Sequence, residues 1–175
     1  MKNLVVVIAF ILASTVSFAQ GAFDKFEDKD GIESIVVSRK MFDLMSKVKV
    51  DVKDKEMQQY MNLLKKLDNL KVFTTSNAKI SADMKATVNS YLKSNPLEEL
   101  MRVNGDGKNV KIYVKSGANE NIVRELLMFI EGANMKDAST VVLSLTGNFS
   151  LDEISMLTEK MSLPGGDDLK KASKK

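Results

Sequence analysis

The chain has 175 residues, 44 % apolar and 28 % charged, with 26 Lys and Arg against 23 Asp and Glu for a formal net charge of +3. It contains no histidine and no cysteine. Those absences exclude a Ser-His-Asp triad, a Cys-His dyad, disulfide bridges and a zinc site of the usual ligands, so any catalysis would fall to carboxylates, lysine, serine or tyrosine.

Residues 1–19 have the build of a secretory signal peptide: Lys2 at the start, an apolar core over 4–12, and Ser17, Phe18 and Ala19 as a small-x-small end before Gln20. Cleavage is expected after Ala19. The core is shorter than the ~20 apolar residues of a spanning helix and runs into Ser14, Thr15 and Ser17, so no stable membrane anchor is expected after cleavage. With no cysteine for a lipid, a periplasmic or secreted protein is expected. The remaining 156 residues suit a single α+β domain over 20–163, followed by a lysine-rich tail over 164–175 that reads as disordered. Setting aside Lys2, the four tail lysines, Asp167 and Asp168 leaves 21 basic and 21 acidic residues. A neutral body has no basic field to hold nucleic acid or anionic lipid.

After a polar lead with Phe23 and Phe26, residues 34–38 read as a strand. Met41, Leu44, Met45 and Val48 then recur at helical spacing and predict a helix. Asp54 fits the N-cap of a helix over 55–67, with Met57, Tyr60, Met61, Leu64 and Leu67 on one face. A strand over 70–75 follows, then a helix capped by Ser81, with Met84, Val88, Tyr91 and Leu92 inward, ending near Asn95 and Pro96. Runs at 97–103 and 109–115 flank Asn104-Gly105-Asp106-Gly107-Lys108, a hairpin signal. In the second arm Val110, Ile112 and Val114 alternate with Lys111, Tyr113 and Lys115, which predicts one wet face. The unbroken apolar runs at 126–130 and 141–143 read as central strands covered on both faces. Ser150 and Glu153 form a capping box for a last helix carrying Leu151, Ile154, Leu157 and Met161. The pattern predicts an antiparallel or mixed sheet of about six strands with helices packed mainly on one face.

Each motif that touches chemistry has a plainer reading. Ser90-Tyr91-Leu92-Lys93 matches S-x-x-K and Lys115-Ser116-Gly117 resembles K-T-G, but 22 positions from Lys93 to Lys115 leave no room for the intervening domain. Asp28-Lys29-Asp30-Gly31 resembles a calcium loop, yet Phe26 and Val37 stand where the first and the bidentate ligands belong. Gly105 to Lys108 lacks phosphate-loop spacing. The pairs Met41/Met45 and Met57/Met61 lie on apolar faces where methionine fills core gaps, so no copper site and no cofactor is assigned. Glu98 with Glu99, Glu120 with Glu125, and Asp152 with Glu153 read as exposed carboxylates.

The segments SIVVSRKMFDLM, LDNLKVFTT, ELMRVNGDGKNVKIYVKSG, IVRELLMFIEG and STVVLSLTGNFSLDEISML, after a leader ending SFAQ, together resemble exported Bacteroidetes proteins of the domain-of-unknown-function 4252 family. The resemblance departs only in the lysine-rich tail. It implies small envelope proteins with no assigned enzymatic activity, no catalytic residues to carry over, and genes near extracytoplasmic-function sigma factors, hence a role in envelope sensing or stress response.

The expectation is a non-catalytic exported envelope protein acting as a binding or interaction module. Its partner would be an envelope protein or ligand, met by the wet face of Lys111, Tyr113 and Lys115. The alternatives are a carboxylate- or lysine-dependent enzyme on envelope glycans or peptidoglycan, and a surface structural protein. No catalytic or metal-binding residue is assigned.

Overall fold

The structure, a computed structural model, describes residues 21–49, 54–105, 107–119, 121–132 and 140–172. The expected signal peptide lies outside the described residues. A 3-10 helix (Asp24–Phe26) leads into β1 (Glu33–Ser38), α1 (Arg39–Met45), α2 (Lys55–Leu64), β2 (Leu67–Thr75) and α3 (Ala78–Ser94). Strands β3 (Glu98–Gly105), β4 (Lys108–Ser116), β5 (Val123–Gly132) and β6 (Thr140–Phe149) follow, then α4 (Leu151–Lys160) and α5 (Gly166–Ala172).

The strands form one six-stranded sheet in the order β1-β2-β6-β5-β4-β3, with every neighbouring pair antiparallel. This is the α+β class, and the two continuous apolar runs occupy the middle positions as β5 and β6. Their side chains alternate between two cores. Val123, Leu126, Met128, Val141, Leu143 and Leu145 face one, and Leu127, Phe129 and Val142 face the other. On the first face Phe42 of α1, Tyr60, Leu63 and Leu64 of α2, and Ile154 and Leu157 of α4 close the core. On the second, Ile80, Met84, Val88 and Tyr91 of α3 meet Phe26 of the 3-10 helix and its N-cap Phe23. Helices therefore gather mainly on one face, while the longest helix covers the other.

The position of α3 follows from strand order. Strand β2 lies beside β6 and β3 is the far edge, so the connection between them crosses the sheet over β6, β5 and β4. The crossing carries Ser81 to Thr140 of β6, where the hydroxyls lie 2.6 Å apart, and Tyr91 to β5.

Four local expectations change. Helix α3 starts earlier than Ser81 allows, because the Asn77 side chain accepts from Lys79 N at 3.0 Å and Ile80 N at 3.2 Å. Helix α2 stops at Leu64, since Leu67 is already paired with Gly147 in the sheet; it is buried as expected, but from a strand. Of the stripe Met41, Leu44, Met45 and Val48 only Met45 packs against the core, and Phe42 is the residue of α1 that is fully buried. Periodicity marks an apolar stripe but not whether any element covers it.

The fourth change is the tail, where residues 166–172 are helical rather than disordered. Leu163 is buried in the first core and Asp168 is buried in an ion pair with Lys108 at the start of β4. One anchored leucine and one matched acid dock a segment that is polar by composition.

Candidate functional site

The predicted wet face lies on the α3 side of the sheet, where Tyr113 packs against the second core. In β4, Lys111 and Tyr113 are half-buried and Lys115 is exposed. Register sets Tyr113 opposite Glu99 and Lys111 opposite Arg102 of β3, and the Arg102 guanidinium donates to Glu99 at 2.5 Å. Burial and then the nearby Glu99 carboxylate push the Tyr113 phenol above its ordinary pKa, so it remains a proton donor through neutral pH.

Strand β5 adds what the alternation alone did not show. Lys115 stands opposite Glu125, and the next pair is Ser116 with Val123, leaving Arg124 as the extra residue of a bulge. A bulge bends the strand and re-aims the side chains around it. Here it directs Arg124 and Glu125 into a cavity of about 560 Å³ shared with Lys115, Ser116, Gly117 and Asn148. Gly117 closes the far turn with its N–H donating to Ile122 O at 2.6 Å, and a Cβ there would lie 2.7 Å from Ile122 Cγ2.

Glu125 is 6 % exposed, and the phenol of Tyr91 donates to its Oε1 at 2.5 Å. Among the described residues no lysine or arginine forms an ion pair with it. Burial raises the Glu125 pKa, against the opposing effects of the Tyr91 hydrogen bond and the positive charge of Lys115. The same burial, with the facing carboxylate, raises the Tyr91 pKa further still. The site is thus a recessed carboxylate floored by a phenol and rimmed by two cations.

Two other cavities each hold a matched ion pair. Between α2 and α4, in a space of about 630 Å³, Lys66 donates to Glu153 at 2.5 Å and Glu153 accepts from Ser150 N at 2.9 Å, completing the predicted capping box. Burial would raise the Glu153 pKa, but Lys66 and Ser150 outweigh it and hold the carboxyl below its usual range. Beside α5, the ion pair of Lys108 with Asp168 stands in a space of about 470 Å³.

A family model described as a domain of unknown function, DUF4252, matches residues 26–157. The chain belongs to that family. No curated protein and no solved structure matches it. The DUF4252 match runs from the last residue of the 3-10 helix into α4, so it includes all six strands and the whole β4–β5 site.

Within this DUF4252 domain the weaker motifs fall on ordinary structure. Ser90 and Lys93 are exposed on α3, Asp28 to Gly31 form the turn before β1, and Gly105 to Lys108 join β3 to β4. Of the carboxylates read as exposed, Glu98 and Glu99 are so, Glu120 lies outside the described residues, and Glu125 is buried. The sequence signal for Glu125 was available: two charged residues, Arg124 and Glu125, open an otherwise continuous apolar strand, and alternation puts Glu125 on the face of Leu127 and Phe129. Tyr91 was expected inward as packing, without its hydrogen bond.

Proposed function

We propose that the protein is an exported, non-catalytic interaction module of the cell envelope, and that it holds its partner on the β3–β4–β5 face through Lys111, Tyr113 and Lys115, with Arg124 and Glu125 at the recessed end. The observation that carries this reading is that, among the described residues, the cavity holds one carboxylate, Glu125, which Tyr91 hydrogen-bonds and no cation pairs. Acid–base cleavage of a glycan uses two carboxyls about 5–10 Å apart across a cleft. Among the described residues the other buried carboxylate, Asp168, belongs to α5 on the opposite side of the sheet and is matched by Lys108. A recessed acid between exposed cations is suited to holding a polar segment that carries both an amine or amide donor and an acceptor. Export, and a part in envelope sensing or stress response, belong to the same proposal.

The test is affinity capture from envelope extract with the native protein and with the triple variant Lys111→Ala, Tyr113→Ala, Lys115→Ala. A defined species retained by the native protein and lost from the variant is the expected result. Identical capture by both, with unchanged deletion complementation, removes this surface from the reading. Turnover of a purified envelope polymer that is abolished by Glu125→Gln would replace binding with catalysis.

A further inference from the structure

The sheet has two edges, and they are built differently. Edge strand β3 carries Glu98, Glu99 and Arg102 and a bulge between Glu99 and Met101, features that discourage pairing with another strand. Edge strand β1 has no bulge and a single charge, Glu33 at its first position. Its register with β2 is regular from Glu33 to Ser38, and between Glu33 and Arg39 it reads Ser-Ile-Val-Val-Ser without charge or proline. Of the six large apolar side chains that are exposed among the described residues, five are on β1 or beside it: Ile35, Val36, Met41, Leu44 and Val48. Val48 reaches 60 % exposure and Leu44 55 %, so among the described residues this edge carries uncovered apolar side chains, with Ile35 on the face of Val37 and Val36 on the other.

The pattern on β1 is self-complementary. Counting outward from Val36, Ile35 mirrors Val37, Ser34 mirrors Ser38, and Glu33 mirrors Arg39. We propose that the protein forms a two-fold dimer in which β1 pairs antiparallel with β1 of a second copy about Val36, joining the two sheets into one of twelve strands. In that register Glu33 of each copy meets Arg39 of the other. Both outer contacts are then between opposite charges, whereas a two-fold through a neighbouring residue would break the match. Arg39 already donates to Asp68 at 2.9 Å, but its side chain is 68 % exposed and its planar fork carries further N–H groups for a second carboxylate. An edge-to-edge two-fold runs perpendicular to the sheet, so α1 of both copies lies on the same face and both apolar stripes flank the joint. The occupant is a second copy because the edge mirrors itself in residue pattern and in charge.

Two measurements test the register itself. The chain has no cysteine, so a single Val36→Cys places one thiol in each copy. Directly opposed residues in an antiparallel pair have Cα atoms ~4.5–5.5 Å apart, within disulfide range, whereas Ser34→Cys thiols would be four residues out of register. The expected result is an oxidised dimer from Val36→Cys and none from Ser34→Cys under the same conditions. In sedimentation equilibrium, Glu33→Arg or Arg39→Glu alone should weaken self-association about tenfold, and an equimolar mixture of the two should restore it, because the heterodimer regains both opposite-charge contacts. Thermal melts of each variant check that folding is intact. A native protein that stays monomeric at millimolar concentration, equal cross-linking through both cysteines, or a mixture no tighter than its components would each overturn the proposal.

Discussion

Tyr91 and Glu125 are 34 positions apart in sequence and 2.5 Å apart in space, the phenol of the sheet-crossing helix donating to the one carboxylate that is buried on its side of the sheet among the described residues. Because Glu125 has a raised pKa, the folded state binds its proton more tightly than the unfolded chain does. Its stabilising contribution is therefore full below the ordinary glutamate value and is lost as pH rises through the folded one. Glu125→Gln keeps an acceptor for Tyr91 and removes the charge. Urea midpoints of the variant should meet those of the native protein at low pH and exceed them at neutrality. Parallel curves across that range would mean the carboxylate is not destabilised where it sits.

Tyr91→Phe tests the partner. It leaves a buried carboxylate without its hydrogen bond while keeping the ring that packs on Phe23 at 5.2 Å between centroids. A loss of about 1–3 kcal/mol is expected, the usual cost of stranding a buried polar group. In the Glu125→Gln background the loss should shrink, since a neutral amide is less costly to strand; equal losses in both backgrounds would show that the two side chains are not coupled.

Lys71 fastens the N-terminal segment to the sheet. It projects from β2 to Asp24 and to Glu27, the latter at 2.6 Å, and is 8 % exposed. Burial alone would lower its pKa, but the two acids outweigh burial and hold it above an ordinary lysine. The stability this provides is complete below the unfolded lysine value of about 10.4 and is lost as pH rises through the folded one. Lys71→Met keeps the apolar stem and deletes the charge. The expected loss is about 1–3 kcal/mol at pH 7, with amide exchange accelerated over residues 22–30 more than elsewhere. Uniform acceleration across the whole sheet would contradict a local clasp.

Gly147 is required by contact rather than by backbone angle. A Cβ there would lie 2.5 Å from the Lys66 carbonyl oxygen and 3.0 Å from Leu67 Cα, both backbone atoms at the turn into β2. Gly147→Ala should cost about 1–3 kcal/mol by overpacking. Gly105 has nothing within 4 Å of the same position, so Gly105→Ala should be close to neutral. Melting both variants beside the native protein decides it: equal transitions for the two would rule out the close approach at Gly147.

What was legible in the chain follows from what periodicity measures. Alternation and apolar runs identified the central strands, and cap chemistry located the starts of α2 and α4, because both signals are local. The exposed stripe of α1 and the buried Glu125 were missed for one shared reason. Local pattern reports which residues lie on one face, but strand order decides what lies over it. Helix α3 covers Glu125 because β2 and β3 are far apart in the sheet, and among the described residues nothing covers Met41, Leu44 and Val48 because β1 is an edge. The β3–β4 hairpin was readable from its loop, whereas the Arg124 bulge depends on how β4 and β5 register.

The docking of α5 depends on one acid. Asp168 is buried and accepts from Lys108, while its neighbour Asp167 is exposed. If that pair holds the helix down, Asp168→Asn should release residues 166–172 and make them accessible to trypsin, with cleavage accelerated about tenfold and the six-stranded body intact by circular dichroism. Asp167→Asn changes the same net charge on the same turn without touching Lys108, so it should be cut at the native rate. Lys108→Met should reproduce the Asp168→Asn pattern from the other side of the contact. Equal cleavage of the Asp167 and Asp168 variants would mean that Leu163 and the turn at Gly165, not the ion pair, keep the helix in place.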